Sequence, residues 1–354
     1  MVKLFSGMLL GYLYHKYYGQ GDTIHLFELA KFYSYESIQN QPREKFFVWI
    51  ISPIVWLSGG SYWITSIWLS FIGFLACWYA TVSLSETFNK IKLPIATCLL
   101  LVPSVVFWSS GILKDTVSFS CLVLSIALVV KFYRNQRLLF LDFILLILSL
   151  IVLFKIKHYL LITVLIFSSI LIFSILLRRI KTKLKWPVAI AVLAIILIST
   201  QFIHPYLRVD RIVQTIYENN EAIASQTSPE NRIIVLQNES LASLIDNVPI
   251  SIYTGLFRPS LLDKTTSLGW VHKVENFILT VLLFLSLLLI IKEKHEFDLP
   301  LLFSSIFCIV LLGTLLPLTS PNFGTLVRYK NAYFPFLLLI SSILPYRYLS
   351  SNSD

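Results

Sequence analysis

The chain has 354 residues, 56% of them hydrophobic and only 14% charged, a balance far from that of a soluble domain and typical of a polytopic membrane protein. Its net charge of +10 does not point to nucleic acid, because the basic residues lie in short clusters between apolar runs, which is how membrane topology is written. Cys77, Cys98, Cys121 and Cys308 all sit within apolar segments and read as small buried hydrophobes, so neither a disulfide framework nor a zinc site is implied.

A membrane-spanning helix needs about 20 mostly apolar residues. On that measure the N-terminal run, a lysine followed by apolar residues without a small-residue cleavage site, predicts a retained first span over 4–18. A loop over 19–61 follows. Within it, Ile24, Phe27, Leu29, Phe32, Tyr35 and Ile38 recur at three- and four-residue spacings, an amphipathic helical pattern. Phe46–Leu57 is too short to span and contains Pro53; its tryptophans and phenylalanines suit headgroup depth. The loop is thus expected to form two helices lying on the membrane.

Further spans are predicted over 62–84, 93–113, 116–133, 138–154, 158–177, 186–203, 274–292, 299–318 and 329–347, about ten in all. The densest basic loop, Arg178–Lys185, is cytoplasmic by the positive-inside bias. Alternation then assigns to the outer side the loop 19–61, Lys114 and Asp115, residues 155–159, the long segment 204–273 and residues 319–328. Three regions result: a transmembrane bundle over 1–203, an extracytoplasmic segment over 204–273 and C-terminal helices over 274–354. The middle of the second, Asn219–Arg232, is polar enough to be expected mobile.

Asp22 follows Gly19 and Gly21 just beyond the first span. It can cap the helix after it, or act as a general base at the membrane surface. His25 and Glu28 share its helical face, and the three could hold a divalent metal or simply be solvated. Lys114 and Asp115 interrupt a long hydrocarbon stretch after Trp108, Ser109, Ser110 and Gly111, so they mark either a helical hairpin turn or a site, with Asp115 orienting the lysine or completing the polar network. Lys155, Lys157, His158, Tyr159, Arg258 and Arg328 share the outer level, and cations converging there would receive phosphate or pyrophosphate. Glu275 and Asn276 stand at the mouth of the next helix, where they could be caps. Nucleotide loops, zinc spacings and nucleophile elbows are missing from the sequence, so a donor for an outer-facing site arrives in the membrane or from the far side, a geometry that lipid-linked donors fit.

The "GD" carboxylate opening an outer loop of interfacial helices, "WLSGGSYWITSIWLSFIGFLACWYA" entering the second span, "PSVVFWSSGILKDT" and "NFGTLVRYKNAYFPF" together resemble the GT-C class of polyprenyl-phosphate-sugar-dependent glycosyltransferases of bacterial surface-glycan assembly. The resemblance implies an all-α enzyme of the bacterial inner membrane. It would move a sugar, with inversion, from an undecaprenyl-type carrier to a glycan, lipid or protein acceptor at the periplasmic or exterior face. Asp22 would be the catalytic base, with Lys114, Arg258 and Arg328 on the donor phosphate and Asp115, Trp108, His158, Tyr159, Glu275 and Asn276 in support. No cofactor is required by the resemblance, though a divalent metal is compatible with it. Arg258 and Gly269 also stand in the R-x10-G spacing of O-antigen and exopolysaccharide polymerases, a second expectation. A transporter or flippase is the third, disfavoured by the lack of repeated halves and by charge confined to helix ends.

Overall fold

The computed structural model describes residues 1–18, 21–32, 42–88, 92–178, 208–263, 269–292, 298–337 and 339–340. Among these the secondary structure is helical, without a named strand. Two compact units divide the chain, Met1–Leu165 and Ile166–Ile340.

The first unit opens with α1 (Val2–Leu13), which continues through a π-helical turn, Tyr14–Tyr18. Next come α2 (Asp22–Lys31) and α3 (Pro42–Leu57), the two helices expected in the first loop. Helix α2 ends earlier than the periodicity suggested: Phe32 is already outside it and exposed, while Tyr35 and Ile38 lie outside the described residues. Helix α4 (Tyr62–Thr87) is a long apolar helix. The span expected over 93–113 is instead broken into α5 (Lys92–Leu100) and α6 (Pro103–Trp108). Proline has no N–H to donate and forces its predecessor out of the helical region, and Val102 is accordingly extended, with φ −60° and ψ 123°. Residues 109–113 then turn through Gly111, whose φ of +74° glycine adopts without a Cβ clash. Helices α7 (Lys114–Tyr133), α8 (Phe140–Ile156) and α9 (His158–Arg178) follow, the last crossing the boundary between the units.

In the second unit α10 (Val209–Gln226) and α11 (Leu241–Phe257) occupy the segment expected to be partly mobile. This corrects the reading of its polar middle. Val213, Ile216, Asn220 and Ala224 form one buried stripe on α10; the Asn220 side chain donates to the carbonyls of Ile234 and Leu318 and accepts from the Leu236 amide. Helices α12 (Gly269–Lys292), α13 (Leu299–Thr319) and α14 (Phe323–Tyr329) complete the unit, with a 3-10 turn at Lys330–Ala332. The expected span over 186–203, and residue 338 and residues 341–347 of the one over 329–347, lie outside the described residues.

Among the described residues, five helical stretches are long and apolar enough to cross a membrane: Tyr62–Thr87, Lys114–Tyr133, His158–Leu177, Gly269–Leu288 and Leu299–Thr319. Their outward faces are oily. On α4 alone Trp63, Trp68, Ile72, Leu75 and Trp78 are exposed, an apolar surface that water would not tolerate and lipid would. The protein is a helical membrane protein.

One core cluster shows which helix ends lie together in the first unit. Leu26, Phe27, Leu29 and Ala30 of α2 pack with Phe47, Val48, Ile51 and Val55 of α3, and with Tyr62, Leu69, Ile112 and Ile156. The α2–α3 layer therefore covers the end of the bundle formed by the start of α4, the start of α7 and the end of α8. This is the grouping that loop alternation predicts for 19–61, 114–115 and 155–159.

Candidate functional site

The covered end of the first unit is held by polar contacts as well as by its core. Thr23 and Tyr62 share a hydroxyl–hydroxyl bond of 2.8 Å, and the His15 ring sits edge-on to Tyr62 at 4.6 Å while stacking on Trp63 at 5.5 Å. Asp22, next to Thr23, is exposed. Gly21, not Asp22, is the N-cap, and Asp22 is the first helical residue. There its carboxylate faces the positive end of the helix dipole, so the capping role expected of it is corrected while its position at the head of α2 stands. His25 and Glu28 run along the same exposed face. Among the described residues no three His, Cys, Asp or Glu side chains converge to hold a metal ion.

Lys114 and Asp115 do not pair with each other. Lys114 Nζ donates to Glu44 Oε1 of α3 at 2.9 Å, and Asp115 accepts from Lys157 at the end of α8. Of the two roles expected of Asp115, it does not orient Lys114 but takes part in a polar network of two cross-helix ion pairs, side by side, tying α3, α7 and the α8–α9 junction together. Adjacent residues at the start of a helix point in different directions, which is why each finds its own partner. The Lys157 ammonium stands 5.9 Å from the Tyr159 ring centroid, and His158 is edge-on to Phe154 at 5.4 Å. Trp108 closes α6 edge-on to Phe107 at 4.9 Å.

A different network fastens the opposite end of this unit. Asp142 accepts from Tyr79 Oη at 2.5 Å, from Lys131 Nζ at 3.2 Å and from the Leu139 amide at 2.8 Å. It is a closed set of partners for a buried carboxylate.

In the second unit Arg258, at the end of α11, donates from Nε and Nη2 to Asp263 Oδ1 at 3.1 and 2.5 Å and stacks 4.7 Å over Phe323. Burial by itself would raise the Asp263 carboxyl, but the Arg258 fork and the amide and hydroxyl of Ser260 outweigh it and hold its pKa below the usual carboxylate value. Beside this pair the buried Lys330 ammonium donates to the Arg258 carbonyl and, at 2.8 Å, to Asn276 Oδ1; Asn276 Nδ2 in turn donates to the Pro259 carbonyl at 3.3 Å. Glu275 and Asp263 are near enough for their charges to act on Lys330. Glu275 and Asn276 are not caps: α12 begins at Gly269, and both stand two turns inside it. Arg328 closes α14, half-buried.

Of the expected phosphate ligands, Lys114 belongs to the first unit and Arg258 and Arg328 to the second. Lys114 and Arg258 each already hold a carboxylate. Glu44, Asp263 and Lys330 were not singled out from the sequence, and only Lys330, a lysine inside the quoted "RYKNAYFPF" run, carried a signal there. No family model, curated protein or solved structure matches the chain.

Proposed function

We propose that the protein is a membrane glycosyltransferase taking a sugar from a polyprenyl-(pyro)phosphate carrier, with Asp22 as the general base. The observation that supports this reading is the α2–α3 layer: it presents Asp22 at its exposed head and is fastened over the same bundle end that holds the Lys114 and Lys157 ammonium groups. A carboxylate there can take the proton of an attacking acceptor hydroxyl. Lys114 releases Glu44 to meet the donor phosphate, exchanging one anionic partner for another. The acceptor approaches from water, the carrier from the bilayer, on the extracytoplasmic side of a bacterial inner membrane.

Turnover of undecaprenyl-phosphate- and undecaprenyl-pyrophosphate-linked sugars by the purified protein in nanodiscs tests this. Asp22→Asn is expected to lower kcat by about a hundredfold or more with carrier binding retained, whereas Lys114→Ala weakens carrier binding. Full turnover in Asp22→Asn would remove the mechanism. The polymerase reading draws on the Arg258–Asp263 pair stacked on Phe323, and under it Arg258→Ala, not Asp22→Asn, is the inactivating change.

A further inference from the structure

Where the α8–α9 junction meets the start of α3, three basic groups face outward. Arg43, Lys155 and His158 are all exposed, and Arg43 and Lys155 both lie near enough to His158 for their charges to act on its ring. Neighbouring contacts hold them there, since Glu44 bonds Lys114, Asp115 bonds Lys157 and Phe154 packs against His158. The two nearby carboxylates are therefore committed to other lysines. Among the described residues no carboxylate is within ion-pair distance of Arg43, Lys155 or His158, and the Arg43 and Lys155 charges repel one another across a small surface. Such a group asks for an anion.

The surface beneath it specifies what kind. On α8, Ile144, Ile147, Leu148, Ile151 and Phe154 are all exposed, at spacings of three and four residues that make one continuous apolar stripe. That stripe runs along the helix and stops at Lys155. Trp49, 63% exposed, stands on the helix that carries Arg43, with Lys45 one turn before it and exposed on the same face. Tryptophan and snorkelling lysine are the residues of headgroup depth. A basic cluster at the head of an apolar track about three turns long has the profile of one amphiphile.

We infer that Arg43, Lys155 and His158 form a docking site for the anionic headgroup of a bilayer phospholipid, whose acyl chain lies along the Ile144–Phe154 face of α8. This goes beyond the transfer reaction and does not depend on it. No bond is made or broken: the lipid is a bound partner that fastens α3 and the α8–α9 junction at one depth.

The full-length protein, purified in detergent and titrated with phosphatidylglycerol or phosphatidylcholine under native mass spectrometry, provides the test. Wild type is expected to retain phosphatidylglycerol in preference to phosphatidylcholine. Arg43→Gln and Lys155→Gln are each expected to weaken phosphatidylglycerol retention about fivefold, the worth of one cation near an anionic headgroup. Lys31→Gln, the same change of charge on α2, should leave it within about twofold. Arg43→Lys and Lys155→Arg keep the charge and should keep most of the binding, which separates loss of the site from loss of the fold. An equal loss in Lys31→Gln, or no preference between the two lipids, would overturn the site. So would displacement of phosphatidylglycerol by undecaprenyl phosphate at a hundredfold lower concentration, which would assign the cluster to the carrier instead.

Discussion

A lysine buried as deeply as Lys330, 6% exposed, has to have its ammonium protons accepted within the protein. Two acceptors come from the Arg258 carbonyl and the Asn276 side chain, and Tyr333 donates to the Gly255 carbonyl one turn earlier on α11. Together they do for the end of α11 what a local cap would do, from residues more than seventy positions away. Lys330→Met keeps the bulk and removes the donors. It is expected to cost about 2–4 kcal/mol, seen as a lower thermal unfolding midpoint in detergent, and Lys330→Arg should not restore it because the wider fork does not fit the same acceptors. Sequence made the polar character of Lys114, Asp115, Arg258 and Asn276 legible, since a charge or amide inside hydrocarbon always needs a reason. It did not reveal their partners. Glu44 meets Lys114 across seventy residues, and pairing over such a distance is fixed by how helices pack, not by any spacing along the chain.

Helices were read with unequal success, for reasons that lie in their composition. Long uninterrupted apolar runs such as Lys114–Tyr133 and Leu299–Thr319 were legible because nothing else accommodates so much hydrocarbon. The break at Val102–Pro103 was overlooked because hydropathy is blind to the missing amide of a proline, and α10 was overlooked because its buried stripe is only one residue in three or four. Helix α11 is apolar but short, and its place is set by contact with α13 where both carry glycine. A Cβ added at Gly255 would collide with the backbone carbonyl of Gly313, so the two helices cross at backbone contact, the close approach that small residues permit. Gly255→Ala is expected to push them apart and cost about 1–3 kcal/mol, whereas Gly313→Ala, which meets only the flexible end of Leu256, should cost less. Comparing the two unfolding midpoints under the same detergent decides it.

Within each unit, the grouping of loops by alternation agrees with the helix ends that pack together, and the positive-inside bias assigns the outer end. Labelling settles the side. Glu28→Cys and Lys155→Cys should react with a membrane-impermeant maleimide from one side of the membrane and Asn135→Cys from the other, over a low background because no native cysteine is exposed. Reaction of all three from one side would undo the topology. Helix α7 carries a further consequence. It is the most enclosed of the five long apolar helices and is fastened at both ends, by Lys114 and Asp115 at one and by Lys131 at the other. Asp115 and Lys131 are sixteen residues apart, or about 24 Å along a helix axis, while the hydrocarbon of an average bilayer is about 30 Å thick. The ion pairs thus act as a ruler shorter than the medium it measures. Enclosed by its neighbours, this helix meets protein and not acyl chains, so its short polar-to-polar span is matched by the helices packed around it and leaves the bilayer thickness to them.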